Sequence, residues 1–272
     1  KMDWEGLNMK RLIPLLLALA LVMGVASAEV LRVGMECNYA PFNWTQTEPS
    51  DEALPIEGGG YADGYDVRIA KKIADQLGYD IEIVKTEWDG LIMSLVSGKI
   101  DAIIAGMSPT DERKLTIDFS DPYYESDLVI VVRKDSAYAA ATSLEDFSGA
   151  KITAQLNTFH YTVIDQIPGV QLQTAMDTFP TMIVALSAGA IDGYVSERPG
   201  AESAVATNPN LTYVSFADGS GFEADPADTT IAVGVAKGSE LTAKINEALA
   251  AISEDERVEI MAAALAAQPS AE

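Results

Sequence analysis

The segment Gly106-Met107-Ser108-Pro109-Thr110-Asp111-Glu112-Arg113 gathers residue types that hold a small anion. Thr110 is a good helix N-cap, and Asp111 and Glu112 suit a first helical turn because their charge complements the positive end of the helix dipole. A helix is therefore predicted to begin there. Its free backbone N–H groups and the fork of Arg113, which pairs a carboxylate through two parallel bonds, would together receive an anion. The plain alternative is a surface arginine on an ordinary helix. A second cluster, Glu36-Cys37-Asn38-Tyr39-Ala40-Pro41-Phe42, places an acid, two aromatics and a proline just after the β-rich run Val30 to Met35, and reads as a site edge. His160, the single histidine, has no His, Cys or carboxylate partner at ligand spacing, so it reads as a helix-face or surface residue. The single cysteine, Cys37, excludes an intramolecular disulfide and a cysteine-based metal cluster, and reads as a small packed side chain. Asn43-Trp44-Thr45 fits a glycosylation sequon, which carries little weight without a eukaryotic context. Neither Walker nor dinucleotide glycine patterns stand in usable positions, and no cofactor or metal is expected.

These residues need a scaffold, and the hydrophobic pattern supplies an α/β one. Val67, Ala70, Ile73, Ala74 and Leu77 repeat at helical spacing within Asp66 to Leu77, and Gly78 is a C-terminal stop. A strand at Ile81 to Val84 follows, then a helix from about Asp89 to Val96 and a strand at Ile100 to Gly106. This alternation gives a parallel α/β sheet, whose ligands bind beyond the carboxyl ends of the strands, where Glu36 to Phe42 and Gly106 to Arg113 both lie. Thr45 to Gly60, rich in Pro, Gly, Glu and Ser, reads as an exposed hairpin or long loop. Asp127 to Arg133 is an apolar strand that leaves this sheet, and a second α/β pattern then runs through strands at Lys151 to Ala154, Gln171 to Leu172 and Ile191 to Val195. The strand Thr229 to Ala236 and helices Glu240 to Ile252 and Glu256 to Ala267 are placed back on the first half, which otherwise lacks outer cover. That return requires two chain crossings, hence a hinge.

Composition agrees with a globular chain: 48% of residues are apolar and 22% charged among 272. The net charge of -23 repels phosphate backbones and anionic lipid, so nucleic acid and direct membrane-surface binding are not expected. Lys10 and Arg11 precede an apolar run from Leu12 to Val25 that ends in Ala26-Ser27-Ala28, the pattern of an export signal cleaved after about Ala28. A membrane helix is the alternative, but the run is short of the ~20 residues a bilayer needs and contains Pro14. Met9 or Lys1 is the first residue of the signal, and no cysteine follows the apolar run, so a lipobox is not expected. The protein is expected outside the cytoplasm, in the periplasm or at the cell surface.

The series Leu31-Arg32-Val33-Gly34, Tyr39-Ala40-Pro41-Phe42, Gly64-Tyr65-Asp66-Val67, Ser108-Pro109-Thr110-Asp111-Glu112-Arg113 and Asp118-Phe119-Ser120-Asp121-Pro122-Tyr123 resembles the polar amino-acid-binding proteins of ABC importers, solute-binding family 3. The likeness covers essentially the whole chain after the signal. It implies a type II periplasmic binding protein fold: two lobes, each a mostly parallel sheet flanked by helices, joined by two hinge strands. Lobe 1 would comprise 29–125 and 230–268, lobe 2 would comprise 128–225, and the hinges would fall near 125–128 and 222–230. The implied function is to close around a free amino acid, as a monomer, and deliver it to the importer's permease.

The resemblance also assigns roles. The arginine matching Arg113 clamps the ligand carboxylate, aided by the hydroxyl and amide at Ser108 and the carbonyl at Gly106, with Met107 between them. Charge-assisted donors of this kind offset the desolvation of a carboxylate. Aromatics matching Tyr39 and Tyr65 sandwich the ligand side chain, core packing being the alternative for each. Gln155, Leu156, Asn157, Thr158 and Phe159 fall on the loop that covers the ligand, where relatives carry small or glycine-rich residues; Asn157 and Phe159 depart from that pattern, and Thr158 is a helix-start hydroxyl. Glu197 matches an acid, usually Asp, that binds the ligand ammonium, with a local pair to Arg198 as the alternative. Glu36 matches an Asp that reaches the far end of the ligand, which favours arginine, lysine or histidine ahead of glutamine and places glutamate last. Two rival functions share the fold: a cyclohexadienyl or arogenate dehydratase-like enzyme, in which Glu197 or Glu36 would donate a proton, and a sensory ligand-binding domain, ranked lower because no membrane span or signalling module is seen. No acid–base pair is evident in the sequence, so plain binding is preferred.

Overall fold

The computed structural model describes residues 29–269. The export segment with its cleavage after Ala28, and the choice of first residue, lie outside the described residues. Strand β1 (Val30–Met35) buries Leu31, Val33 and Met35 and ends at Glu36. Four short strands follow: β2 (Asn38–Tyr39), β3 (Asn43–Gln46), β4 (Leu54–Pro55) and β5 (Tyr61–Asp63). They form a small antiparallel sheet of order β2-β3-β5-β4. The stretch from 45 to 60 is thus the hairpin of the two forms its composition suggests, β3 pairing antiparallel with β5, and Trp44, Ile56 and Ala62 are buried and anchor it to the core. Helix α1 (Tyr65–Leu77) buries Val67, Ile69, Ala70, Ile73 and Ala74, and Gly78 closes it in the left-handed region at φ 69°, as its glycine predicts.

Strand β6 (Asp80–Lys85) leads through the 3-10 turn Trp88–Gly90 into helix α2 (Leu91–Val96), then β7 (Ala102–Ile103), the single-turn helix α3 (Asp111–Lys114) and the long strand β8 (Ile117–Glu125). The chain crosses to the second half through 126–127 and enters β9 (Leu128–Arg133). Strand β10 (Lys151–Thr153), helix α4 (Phe159–Thr162), strand β11 (Gln171–Leu172), helix α5 (Phe179–Ser187), strand β12 (Gly193–Glu197), helix α6 (Arg198–Thr207) and strand β13 (Leu211–Val214) complete that half. The chain then returns as β14 (Thr230–Ala236), followed by helices α7 (Leu241–Ala250) and α8 (Glu254–Ala267).

The large sheets have orders β6-β1-β7-β14-β8 and β11-β10-β12-β9-β13. In each, four strands run one way and one runs against them: β14 in the first, β9 in the second. Both reversed strands occupy the same place in the order, and both are the strands that arrive from the other half. Two lobes of one plan are therefore stitched together by exchanged strands. Strand β9 is buried on both faces, and its period-2 alternation divides it between two cores: Val129 and Val131 join the larger cluster, Leu128, Ile130 and Val132 the smaller. Each such fully buried aliphatic side chain contributes about 1.5–3 kcal/mol over exposure. The larger cluster is continuous between lobes, running from β1 and α1 through Tyr39 to Phe179 and Tyr194. Arg32, at the opening of the family-like series, pins β1 to β7 through a bidentate pair with Asp101, Nη2 to Oδ1 at 2.6 Å; both side chains are a third exposed, which limits the pair to about 0–1 kcal/mol.

Candidate functional site

The carboxyl ends of the strands in the two lobes face one another, and the cavity between them is lined by Tyr39, Trp88, Gly106, Ser108, Arg113, Gln155, Thr158, Phe159, His160 and Glu197. In this closed arrangement the walls leave about 10 Å³, room for one water at most. A larger hollow of about 690 Å³ lies beyond Arg113, edged by Asp111, Glu112, Asp225 and Asp228.

Arg113 is placed as its local sequence predicts. Thr110 caps α3 by accepting from the Arg113 backbone N–H at 3.3 Å, and the helix runs for one turn only. The guanidinium donates to the Ser108 carbonyl at 2.9 Å and, across the cleft, to the Asn157 carbonyl at 3.1 Å. Its Cζ lies 5.1 Å from the centre of the Trp88 ring, a cation–π contact that holds the guanidinium against one wall. Burial pulls its pKa down to about 10, which leaves it charged at neutral pH. Gly106 closes β7's exit at φ 62°, and a Cβ there would stand 2.9 Å from Tyr39 Cε1, so only glycine permits this approach.

Tyr39 reaches across the cleft: its hydroxyl donates to Glu197 Oε2, and its ring stacks on Phe179 at 4.1 Å. Behind it a buried chain fixes the loop. Asn43 Oδ1 accepts from the Cys37 backbone N–H at 2.8 Å, Asn43 Nδ2 donates to Asp66 Oδ2 at 2.8 Å, and the Tyr123 hydroxyl donates to Asp66 Oδ1 at 2.6 Å. Burial lifts Asp66 to about 6 and the Cys37 thiol to about 12, so the cysteine is an inert packed group.

Glu36, at the end of β1, is 2% exposed. Its Oε2 accepts from Gln155 Nε2 at 3.0 Å, while Oε1 is buried without a partner. Burial pushes this carboxyl up to about 7, against the opposing effect of the Gln155 bond. Glu36 does not line the cavity; it stands behind Gln155.

Glu197 ends β12 in the opposite lobe, 2% exposed, and burial lifts it to about 8. The local pair with Arg198 is not formed, because Arg198 pairs with Asp127, Nε to Oδ1 at 2.7 Å. Instead His160 Nε2 lies 2.9 Å from Glu197 Oε1, out of line for a ring N–H. Thr158 starts α4 without capping it; its hydroxyl donates to the Gln155 carbonyl at 2.7 Å. Asn157 adopts φ 56°, the left-handed region that asparagine tolerates and glycine favours. Its Nδ2 donates to Asp89 Oδ1 of lobe 1 at 2.8 Å.

Tyr39, Gly106, Ser108, Arg113, Gln155, Thr158, Phe159 and Glu197 are thus brought to one chamber. Tyr65, Met107 and Glu36, the last standing behind Gln155, are not. Tyr65 opens α1 with its ring turned into the lobe 1 core against Tyr123 and Tyr124, its hydroxyl donating to the Tyr123 carbonyl at 2.9 Å, so it takes the core-packing role. Met107 is buried, and its carbonyl accepts from Ala232 at 3.0 Å, serving the sheet. Trp88 and His160 line the chamber without having been picked from the sequence. The strand-end rule that selected Glu36 and Gly106 also selects Trp88, which follows β6. His160 is 4% exposed rather than on the surface, and its carboxylate neighbour comes from a distant strand that no local spacing reveals. Among the described residues no group of three or more His, Cys, Asp or Glu converges as metal ligands.

Residues 31–264 match the family model described as bacterial extracellular solute-binding proteins, family 3. Among curated proteins, the chain is 36% identical over 187 residues to a probable histidine-binding protein of Campylobacter jejuni, covering 68% of this chain and 66% of that protein. It is 30% identical over 251 residues to ABC transporter arginine-binding protein 1 of Escherichia coli, covering 91% and 95% respectively. Among solved structures, an amino acid ABC transporter substrate-binding protein from Streptococcus pneumoniae bound to L-arginine superposes with a TM-score of 0.75 at 28% identity, over 87% of this chain and 94% of that one.

Proposed function

The chain belongs to the bacterial extracellular solute-binding proteins of family 3, and from that premise we propose that it is the extracytoplasmic receptor of an ABC importer for a polar amino acid. The carrying observation is that a charged arginine on lobe 1 and a buried acid on lobe 2, Arg113 and Glu197, face one chamber. Those are the two groups a zwitterion needs, and they lie on opposite walls. A ligand that touches both favours the closed arrangement by its differential contacts with the two states. Entry requires the Tyr39–Glu197 and Gln155–Glu36 contacts to part, with bending at the crossings 125–128 and 222–230. The ligand carboxylate takes Arg113, Ser108 and the Gly106 turn; its ammonium takes Glu197; its side chain lies between Tyr39 and Trp88. Tyr39 and Trp88 together play the part that the resemblance gave to Tyr39 and Tyr65.

Glu36, with one oxygen unpartnered behind Gln155, favours a cationic side chain, arginine, lysine or histidine, ahead of glutamine. The arginine- and histidine-binding names of the relatives support the same order. The dehydratase-like reading draws on one observation, an acid in the cleft held protonated to about pH 8. A binding protein is preferred because the family and its curated relatives are binding proteins. A thermal-shift screen against the twenty amino acids tests the proposal: a basic amino acid should raise the melting temperature most. Turnover of a prephenate-like acid with no shift from any amino acid would replace it with the enzyme reading.

A further inference from the structure

Resting on the reading that the ligand carboxylate meets the Gly106–Ser108 turn and its side chain meets Tyr39 and Glu36, we infer that Asp66 is a positioning residue whose one carboxylate ties these two ligand loops together and sets the distance between them. Asp66 is the second residue of α1, buried and outside the lining of the chamber. Its side-chain partners are an amide, a hydroxyl and a backbone N–H, all neutral. A carboxylate without a cation is costly to bury, and an apolar side chain would fill a core position better. What the carboxylate supplies is an acceptor on two sides at once.

One oxygen serves the loop that follows β1. Asp66 Oδ2 accepts from Asn43 Nδ2 at 2.8 Å, and Asn43 Oδ1 accepts from the Cys37 backbone N–H at 2.8 Å. Cys37 sits at φ 55°, a conformation that residues other than glycine rarely adopt and that the surroundings must hold. That hold sets the course of the chain between Glu36 and Tyr39. The start of α1 adds to it, the Tyr65 and Asp66 backbone N–H groups donating to the Pro41 and Phe42 carbonyls at 2.9 and 2.8 Å. The other oxygen serves the turn after β7. Asp66 Oδ1 accepts from the Tyr123 hydroxyl at 2.6 Å, and that hydroxyl accepts from the Gly106 backbone N–H at 3.4 Å. Burial lifts the carboxyl to about 6, and its bonds from Tyr123, Asn43 and the Gly106 N–H oppose the rise. Among the described residues no backbone hydrogen bond joins 36–42 directly to 105–109, so beyond the strand ends the tie runs through Asp66.

The donor and acceptor pattern makes the tie separable from simple packing. In D66N one of the two oxygens becomes an amide that donates, and it faces Asn43 or Tyr123, both of which donate. One loop is released while the shape of the side chain is kept. Exchanging the two groups restores every bond: in N43D/D66N the carboxylate at 43 accepts from the Cys37 N–H and from the amide at 66, whose oxygen accepts from Tyr123. The number of charges is the same as in the wild-type protein.

Titration calorimetry with arginine, or with the amino acid of largest thermal shift, tests the inference at a temperature where circular dichroism shows each variant folded. Kd should rise about tenfold or more in D66N, and about 3- to 10-fold in Y123F, which removes the hydroxyl between Asp66 and Gly106. N43D/D66N should bring Kd back to within about threefold of wild type. G98A, a destabilising change with open space around it, should leave Kd unchanged, which shows that lower stability alone does not weaken capture. Unchanged Kd in D66N or Y123F, a Kd raised equally in G98A, or a double variant no better than D66N overturns the inference and leaves the amino-acid receptor standing. Y123F decides where D66N does not fold. Failure of the wild-type protein to bind any of the twenty amino acids overturns the receptor reading, and this inference with it.

Discussion

The side-chain amide of Gln155, just beyond β10 of one lobe, donates at 3.0 Å to the carboxylate of Glu36, just beyond β1 of the other. The same amide also donates to the Asp177 carbonyl at 3.0 Å, so Glu36 shares its one side-chain partner among the described residues. A guanidinium or ammonium approaching Glu36 finds an oxygen with a free lone pair.

Charge on Glu36 should therefore set selectivity, and its carboxyl ionises near pH 7. The ratio of arginine to glutamine affinity should rise several-fold from pH 6 to 8, since only the cationic ligand gains from ionised Glu36. Using the ratio cancels effects common to both ligands. In E36Q the ratio should be flat, and competition binding at both pH values measures it.

Removing Arg113 should abolish capture. R113A leaves the ligand carboxylate desolvated without its charged donor, a loss of about 3–5 kcal/mol, or roughly a hundredfold or more in Kd. R113K keeps the charge but loses the fork that donates to the Ser108 and Asn157 carbonyls, and should recover little. Titration calorimetry on both variants checks this; unchanged affinity in R113A would remove the residue from the site.

Gly106 and Gly98 separate strain from collision. Both lie at positive φ, but a Cβ at Gly98 meets nothing within 4 Å, whereas one at Gly106 strikes the Tyr39 ring. G98A should cost about 1 kcal/mol of stability and no affinity. G106A should cost at least as much stability and weaken ligand binding as well, read from thermal melts and titration in parallel.

The Asn157–Asp89 bond closes the cleft outside the ligand chamber, so it should govern residence time. N157G retains the left-handed backbone and removes the bond. Ligand dissociation in stopped flow should quicken about 3- to 10-fold, the equivalent of one hydrogen bond. D89A should match it, and the double variant should add little.

Stability should peak on the acid side of neutrality. Burial holds Asp66, Glu36 and Glu197 at about 6, 7 and 8, above their ordinary values of 3.8, 4.5 and 4.5. The folded chain thus keeps protons that the unfolded chain has released, and stability falls as pH rises from about 4.5 to 8. His160, held near 3 instead of 6.5, acts oppositely, since below pH 6.5 the unfolded chain takes a proton that the fold refuses. Three carboxyls outweigh one imidazole, so the melting temperature should climb from pH 8 toward about pH 5. A melting temperature that rises steadily from pH 5 to 8 would contradict these assignments.

Much of this architecture is legible in the chain itself. The stripe of α1 with its Gly78 stop and the capped turn at Thr110 follow from periodicity and turn chemistry, and the return of β14 to the first sheet from the missing outer cover of the first half. What local pattern cannot supply is which face a large side chain turns to at an element's first residue, and Tyr65 turns inward where a ligand contact was expected. Pairings between lobes are equally silent. His160 has no partner in its own segment, and Glu197 reaches it only after the intervening strands have folded between them. The hairpin across 45–60 is legible too, β3 pairing antiparallel with β5, whereas the buried anchors Trp44 and Ile56 that tie it to the core are masked by its glycines and prolines.

The exchanged strands impose an order on biosynthesis. Within its sheet β8 pairs with β14 alone, so the first-made lobe must wait for residues 230–236 before its edge can be secured. The second sheet needs nothing beyond 128–214 and can assemble while the earlier-made lobe is still incomplete. A chain halted before residue 230 should therefore hold a finished later lobe and an unfinished earlier one.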